Sequence, residues 1–304
     1  MISMTTTFTR SIPAVAWLAF LLVSRTADAE RIPEAFRQNP ATFIFLPDTN
    51  GHPGTAIGTG FFVGVSKGIP GVGFVYLVTA KHVVTNGSGG FLPDVVLRSF
   101  SSNTTLVTHF VLSTNSPSRP YVHPNPGVDL VVIPVGGGGE SALIGSGTIP
   151  SDLLATTNHI AKLGIREGDE MFFAGLFTPF IGRKSNIPIY RFGRLSMLTN
   201  EEIEVFKHEG PQTYFLMEAD CYPGNSGSPA FFYFDARRNP NDTMVLLAGV
   251  VTSHFRNLSE IVVLQQQANN VPFALQNNGI TAVVPAWRIL ETLDLPELKK
   301  IRGE

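Results

Sequence analysis

The sequence predicts an all-β protein, because most of it consists of short β-prone runs separated by turn residues. About a dozen such runs are bounded by glycine, proline, asparagine or aspartate. They are Thr42–Leu46, Thr59–Val65, Phe74–Thr79, Val95–Phe100, Val107–Leu112, Val128–Val135, Met171–Phe177, Ile189–Met197, Thr213–Met217, Pro229–Phe234, Val245–Phe255 and Ile280–Val284. The 29 glycines and 22 prolines suit many tight turns. Strands at this spacing indicate barrels or sandwiches.

Helical patterns are few. Ser151–Ile160 predicts a short helix with Ser151 as its N-cap. Ala286–Leu293 carries apolar residues at helical spacing, so we expect a C-terminal helix that packs on the last strands. The run Gly136-Gly137-Gly138-Gly139 is the best candidate for a linker between two halves of the chain.

The composition excludes several classes of protein. With 43% hydrophobic and 15% charged residues, the chain has enough apolar material for a large core, which excludes global disorder. The formal net charge is −2 and no run of Lys or Arg could neutralise a row of phosphates, so no nucleic-acid partner is predicted.

Cys221 is the only cysteine, which excludes an intrachain disulfide and a Cys/His zinc cluster. Six histidines show no metal-ligand spacing and are interpreted as surface or satisfied core residues, with His254 undecided. They are His52, His109, His123, His159, His208 and His254. We therefore expect neither a metal nor an organic cofactor. If the chain is exported, its lack of disulfides fits a bacterial source better than an animal one.

The N-terminus has the pattern of a signal peptide, predicted to span residues 1–29. Arg10 supplies positive charge, Ile12–Val23 is an apolar run, and Ala27-Asp28-Ala29 is an A-x-A cleavage site. A membrane anchor is the alternative, but a spanning helix needs about 20 apolar residues. We expect export to the periplasm or the medium, with no stable membrane anchor after cleavage.

Three segments carry residues for acyl transfer. His82 ends an apolar strand in Thr79–Val83, Asp129 enters a buried strand in Val128–Val132, and Ser226 lies in the glycine-rich turn Gly224–Pro229. Each segment taken singly is also a common turn or strand end. Together they supply a nucleophile, a base with a pKa near neutrality, and a carboxylate that fixes the imidazole tautomer.

The turn around Ser226 also predicts an oxyanion hole. Glycines at 224 and 227 let the chain bend so that the backbone N–H groups of Gly224 and Ser226 point to one place. Those two amides would stabilise the negative charge that develops on a carbonyl oxygen under attack.

These motifs, together with Gly58-Thr59-Gly60-Phe61, resemble the trypsin-like serine peptidases, most closely the bacterial glutamyl-endopeptidase and Deg-like kinds. The resemblance covers Pro40 to Trp287 and includes the order His, Asp, Ser. It implies two six-stranded antiparallel β-barrels of the chymotrypsin-like type with the active site between them. The implied division is a first barrel over 30–138 with His82 and Asp129, a second over 139–284 with Ser226, and a helix and tail over 285–304.

The resemblance also implies residues for substrate binding. Thr252, Ser253 and His254 occupy the stretch that lines the substrate channel, where the His254 side chain faces either the specificity pocket or solvent. Asp220 lies where trypsin-type enzymes place a pocket-floor carboxylate that pairs with Arg or Lys, although a turn residue is the alternative. Val251 replaces the histidine with which glutamyl endopeptidases recognise an acidic residue, so that specificity is not supported.

Asn225 and Cys221 both lie close to Ser226 in the sequence. Asn225 stands where many animal members have the Asp that pairs with a freed N-terminus, so we expect activity without that kind of activation. Cys221 is expected to be a buried wall residue with no role in catalysis.

The leading hypothesis is a serine endopeptidase acting on a polypeptide through an acyl-enzyme, with His82, Asp129 and Ser226 as its triad. One alternative is a non-catalytic peptide-binding or chaperone module on the same fold. A less favoured alternative is an α/β-hydrolase esterase, which needs G-x-S-x-G where this chain has Ser228, and which has the reverse order of triad residues. The sequence predicts no particular oligomeric state.

Overall fold

The structure is a computed structural model that describes residues 41–69, 72–101, 104–137, 147–183, 185–199, 201–203, 211–234, 245–260 and 273–304. The predicted signal peptide, residues 1–29, lies outside these described residues. The described residues belong to one compact unit, which extends over Ile32–Glu304. Within them, no helix has both the length and the apolar character needed to cross a membrane.

The first half of the chain forms one sheet. Its strands are β1 (Thr42–Pro47), β2 (Pro53–Ile69), β3 (Val72–Thr79), β4 (Asp94–Ser101), β5 (Thr104–Val111), β6 (Tyr121–Val122), β7 (Val131–Gly137) and β8 (Thr148–Pro150). Seven of them run in the antiparallel order β5-β4-β1-β2-β3-β7-β6, and β8 pairs in parallel with β2. Among the described residues the hydrogen-bonded order ends at β5 and β6, so this sheet is not closed as the second one is.

The second half forms a closed antiparallel barrel of six strands. They are β9 (Glu170–Gly175), β10 (Ile189–Leu198), β11 (Phe215–Glu218), β12 (Pro229–Tyr233), β13 (Val245–Glu260) and β14 (Phe273–Pro285), in the order β10-β11-β14-β13-β12-β9. The predicted all-β, chymotrypsin-like fold is therefore confirmed, with a closed second barrel and an open first sheet.

Paired phenylalanines on neighbouring strands explain how the two halves pack together. Successive residues of a strand point to opposite faces, and in β9 and β12 both faces are buried. Phe173 and Phe232 point into the core of the second barrel. Phe172 and Phe231 point the other way, into a cluster shared with residues of β2 and β3, and their rings stack with centroids 5.0 Å apart. This shared core fixes the two halves on either side of the site.

A helix was predicted over Ser151–Ile160, and the predicted position of its first residue was wrong. Residues Ser151–Leu153 form a 3-10 turn, and helix α1 (Thr157–Leu163) begins only after Thr156. The reason is a capping box: the Thr156 side chain accepts the His159 amide at 3.1 Å, and the His159 ring accepts the Thr156 amide at 3.3 Å. Those two reciprocal bonds set the helix boundary five residues later than the predicted Ser151 cap.

The predicted C-terminal helix is present as α2 (Trp287–Leu293), and a second helix, α3 (Pro296–Arg302), follows it. Pro296 occupies the first turn of α3, where its fixed φ and missing amide are tolerated. Ile289, Leu293 and Leu298 of these helices are buried in the cluster between the halves.

The first two glycines of the run Gly136–Gly139, predicted to be a linker, belong to a strand. Gly136 and Gly137 continue β7, paired with Val75 and Phe74, while Gly138 and Gly139 lie outside the described residues. Strand β8, which follows the predicted boundary at 138/139, still adds to the first sheet. The boundary itself stays a prediction.

Candidate active site

His82 lies on a short 3-10 helix, Lys81–Val84, that directly follows β3. The buried Val83 and Val84 anchor this turn, while the His82 side chain remains 39% exposed. The ring Nδ1 lies 2.6 Å from Asp129 Oδ2 and donates its proton to that oxygen, because a carboxylate can only accept. The other ring nitrogen, Nε2, is thereby left as the basic one.

Asp129 is fully buried at the entry to β7. Its second oxygen, Oδ1, accepts the backbone N–H of His82 at 2.9 Å. A buried carboxylate without partners would be costly, and here both oxygens have one. The two bonds fix the backbone and the ring of His82 together, which orients the imidazole.

Ser226 lies on the turn between β11 and β12 and faces the same pocket as His82. Its hydroxyl donates to the Thr252 carbonyl oxygen on β13 at 3.1 Å. The pocket has a volume of about 550 Å³. It is lined by Ile57, His82, Tyr222, Pro223, Gly224, Ser226, Thr252, Ser253, His254 and Phe255. In the described part of the chain, no group of three or more His, Cys, Asp or Glu residues could hold a metal.

The turn that carries Ser226 requires glycine. Gly224 and Gly227 have φ of +97° and +85°, a region that side chains rarely adopt. A Cβ on Gly227 would lie 1.8 Å from the Thr59 carbonyl oxygen, so a substitution there would displace the backbone.

Two backbone amides of this turn make no hydrogen bond within the described part of the chain. The Tyr222 amide donates to the Asn225 side chain, and the amides of Asn225, Gly227 and Ser228 donate to the carbonyls of Tyr222, Val251 and Asn225. Pro223 has no N–H group. The amides of Gly224 and Ser226 donate to no acceptor among the described residues. These are the two donors that the sequence predicted for an oxyanion.

Asn225 holds the turn in place through its side chain. The residue is 2% exposed; its Nδ2 donates to the Leu176 carbonyl at 2.8 Å and its Oδ1 accepts the Tyr222 amide at 2.9 Å. A neutral amide thus bridges the turn to the segment after β9. The geometry of this turn rests on uncharged contacts at position 225.

Thr59 is a second brace for the turn, which sequence reasoning did not identify. Its hydroxyl donates to the Gly224 carbonyl at 2.7 Å and accepts the Leu176 amide at 2.9 Å, and its own amide donates to the Ser226 carbonyl at 2.9 Å. The signal was present in the run Gly58-Thr59-Gly60, since a buried hydroxyl between two glycines has to find hydrogen-bond partners.

The other predicted binding residues have different locations. Thr252, Ser253 and His254 all line the pocket, and the direction of the His254 side chain stays an open question. Asp220 is exposed and is not among the residues that line the pocket. A pocket-floor role for Asp220 stays a prediction. Tyr222, Pro223, Phe255 and Ile57 line the pocket without having been predicted, although the first two flank the Gly224 turn.

Cys221 is buried next to this turn, as expected, and burial raises the pKa of its thiol to about 12. The thiol therefore stays protonated at ordinary pH, and the thiolate is the reactive form.

We expect the folded protein to resist iodoacetamide at pH 8, whereas the urea-unfolded protein is alkylated at Cys221. Mass spectrometry of both samples checks this, and rapid alkylation of folded protein would contradict it.

No protein-family model matches the chain, and no curated protein matches it. Among solved structures, it is similar to the inactive form of a serine-to-alanine mutant of Rv3671c from M. tuberculosis. The two sequences are 13% identical, the match covers 86% of this chain and 89% of that chain, and the TM-score is 0.41. It is also similar to a protein designated HBP, with 13% identity, 85% and 91% covered, and a TM-score of 0.45. Both likenesses are distant, so the fold assignment rests on the strand order and the site on its own residues.

Proposed function

We propose that this protein is a serine endopeptidase that hydrolyses peptide bonds through an acyl-enzyme. The observation that carries the proposal is one pocket lined by His82 and Ser226, with a fully buried Asp129 bound to the far side of the imidazole. The amides of Gly224 and Ser226 in the same turn add donors for an oxyanion.

The proposed reaction begins when the Ser226 hydroxyl leaves the Thr252 carbonyl and attacks the carbonyl carbon of the substrate. His82 Nε2 takes the hydroxyl proton as the new C–O bond forms, and the two amides stabilise the oxyanion. His82 then gives that proton to the leaving amine as the C–N bond breaks. Water then attacks the acyl carbon and gives a proton to His82 Nε2, and His82 returns that proton to Ser226 Oγ as the ester C–O bond breaks. Asp129 keeps the imidazole oriented throughout.

The proposed substrate is an extended segment of polypeptide lying along Thr252, Ser253 and His254. These residues line the pocket beside Ser226 and belong to β13. A preference for Arg or Lys through Asp220 gains no support, because Asp220 is exposed and is not among the residues that line the pocket. Export to the periplasm or medium, like the signal peptide, stays a prediction.

We also propose that the site needs no N-terminal ion pair to become active. The Asn225 side chain already braces the oxyanion turn through Leu176 and Tyr222, and it carries no charge that a freed N-terminus could neutralise. Active-site titration of protein that begins before Pro40 should therefore give the same active fraction as trimmed protein.

The alternatives fit less well. An α/β-hydrolase esterase requires helices alternating with strands, whereas the described residues form mainly antiparallel sheets with three short helices. A non-catalytic peptide-binding module has no need for a base bound to a buried carboxylate beside a serine hydroxyl.

A fluorophosphonate probe tests the proposal, because it phosphonylates an activated serine and spares an ordinary hydroxyl. We expect stoichiometric labelling, with the modified peptide mapped by mass spectrometry to Ser226. Prior denaturation should abolish the labelling. A folded protein that remains unlabelled, or that is labelled at another serine, would favour the binding module instead.

A further inference from the structure

A buried histidine joins the C-terminal helix to the loop that leads into Asp129. His123 is 5% exposed, and its Nε2 lies 2.6 Å from Glu291 Oε2 on α2. The two residues are 168 positions apart in the chain. The proposed mechanism does not use either of them.

The hydrogen bonds around the ring assign its tautomer. The Asn125 backbone N–H can only donate, and it lies 3.0 Å from His123 Nδ1, closer than the Asn125 carbonyl oxygen at 3.4 Å. Nδ1 is therefore the acceptor, and Nε2 carries the proton that is donated to Glu291. One imidazole thus connects a carboxylate on α2 to a backbone amide of the loop.

The connection continues to the catalytic carboxylate. The Asn125 side chain accepts the Gly127 amide at 2.9 Å, and its carbonyl accepts the Val128 amide at 3.1 Å. Val128 directly precedes Asp129. The position of Asn125, which His123 holds, therefore sets the path of the chain into Asp129.

Glu291 itself is fixed on its other side. Arg288, one turn earlier on α2, donates to the same Oε2 at 2.9 Å. Burial would raise the pKa of Glu291, but the hydrogen bonds from Arg288 and His123 outweigh it and lower the pKa. The carboxylate that holds His123 is therefore ionised near neutral pH.

We propose that His123 is a positioning residue for Asp129, and that through Glu291 the C-terminal helix α2 helps to align the catalytic carboxylate. This inference rests on the proposed function. Two other contacts hold the same loop: Lys81 Nζ donates to the Pro126 carbonyl and Gln212 Nε2 to the Gly127 carbonyl, both at 2.7 Å. Removal of the His123 side chain should therefore misalign Asp129 without releasing the whole loop.

Paired variants of His123 separate its two hydrogen bonds. In His123→Asn, the amide oxygen takes the place of Nδ1 and keeps the bond to Asn125 but cannot reach Glu291. In His123→Gln, the amide nitrogen takes the place of Nε2 and keeps the bond to Glu291 but provides no acceptor for Asn125. Glu291→Ala cuts the same link as His123→Asn from the helix side. Glu297 is an exposed acidic residue on α3, so Glu297→Ala is the control for the loss of a negative charge away from this link.

The readout is the second-order rate constant for fluorophosphonate labelling of Ser226, measured beside the thermal unfolding midpoint. We expect each of the three variants to be labelled about 10-fold more slowly, since small displacements of a catalytic group cost factors of this size. Glu297→Ala should match the wild type. The double variant His123→Asn/Glu291→Ala should be no slower than either single variant, because both cut one link.

A second signal reports on Asp129 itself. The proton shared between His82 Nδ1 and Asp129 should give a far-downfield proton NMR resonance, which we expect to shift in the His123 variants and not in Glu297→Ala. Folded variants that are labelled at the wild-type rate with an unshifted resonance would overturn the positioning role, as would additive rate reductions in the double variant. A wild-type protein that is not labelled at all would instead overturn the proposed function.

Discussion

Ser226→Ala is expected to lower kcat for peptide hydrolysis by about 10⁶-fold while leaving the fold intact. The substitution removes the attacking oxygen, and His82 cannot activate a methyl group. It also breaks the hydrogen bond from the Ser226 hydroxyl to the Thr252 carbonyl, a partly buried neutral pair at 3.1 Å. Such a bond contributes about 1 kcal/mol to stability, so the unfolding midpoint should change little.

The measurement is kcat on a peptide that the wild type cleaves, with fluorophosphonate labelling of the same samples. Ser113→Ala is the matched control, because Ser113 is exposed and distant in sequence from Ser226. It should retain wild-type activity and labelling. If Ser226→Ala hydrolysed the peptide at the wild-type rate, another group would be the nucleophile and the proposed function would be wrong.

The parts of the site that could be predicted are those encoded locally. Gly224 and Gly227 flank Ser226 within one turn, and their positive φ values follow from the steric freedom of glycine. His82 lies just after the apolar strand β3, and Asp129 lies just before the apolar strand β7. In these cases a few adjacent residues carry the physical reason for the conformation.

The parts that could not be predicted depend on contacts between distant residues. Thr59 braces the Gly224 carbonyl across 165 positions, and His123 reaches Glu291 across 168. No periodicity or turn signal specifies such partners, because they are set by the packing of one half of the fold on the other. The start of α1 was missed for a different reason: the capping bond from Thr156 competes with the earlier Ser151, and the outcome depends on side-chain geometry.

The location of Asp220 also depends on more than local sequence. Its spacing from Gly224 predicted a position at the floor of a pocket, whereas the residue is exposed. The loop between β11 and the Ser226 turn decides where position 220 lies, and spacing along the chain does not define the course of that loop. Specificity therefore has to be measured with a peptide library.

Asp129→Asn is expected to lower kcat by about 10⁴-fold. Asparagine has nearly the same shape as aspartate. Its oxygen can still accept the hydrogen bond that the His82 backbone N–H donates to Asp129 Oδ1, at 2.9 Å in the wild type. Its nitrogen would then face His82 Nδ1 at the place where Oδ2 lies 2.6 Å away. Two donors cannot share that contact, so the ring moves its proton to Nε2 and Nδ1 becomes the acceptor.

The consequence is a base with the wrong nitrogen protonated. Nε2 can then no longer take the Ser226 proton, although both side chains still line the pocket, so kcat should fall while KM stays near the wild-type value. Asp152→Asn, at an exposed turn, is the control and should leave both constants unchanged. A kcat within tenfold of the wild type for folded Asp129→Asn would mean that Asp129 does not set the tautomer of His82, whatever the distance between them.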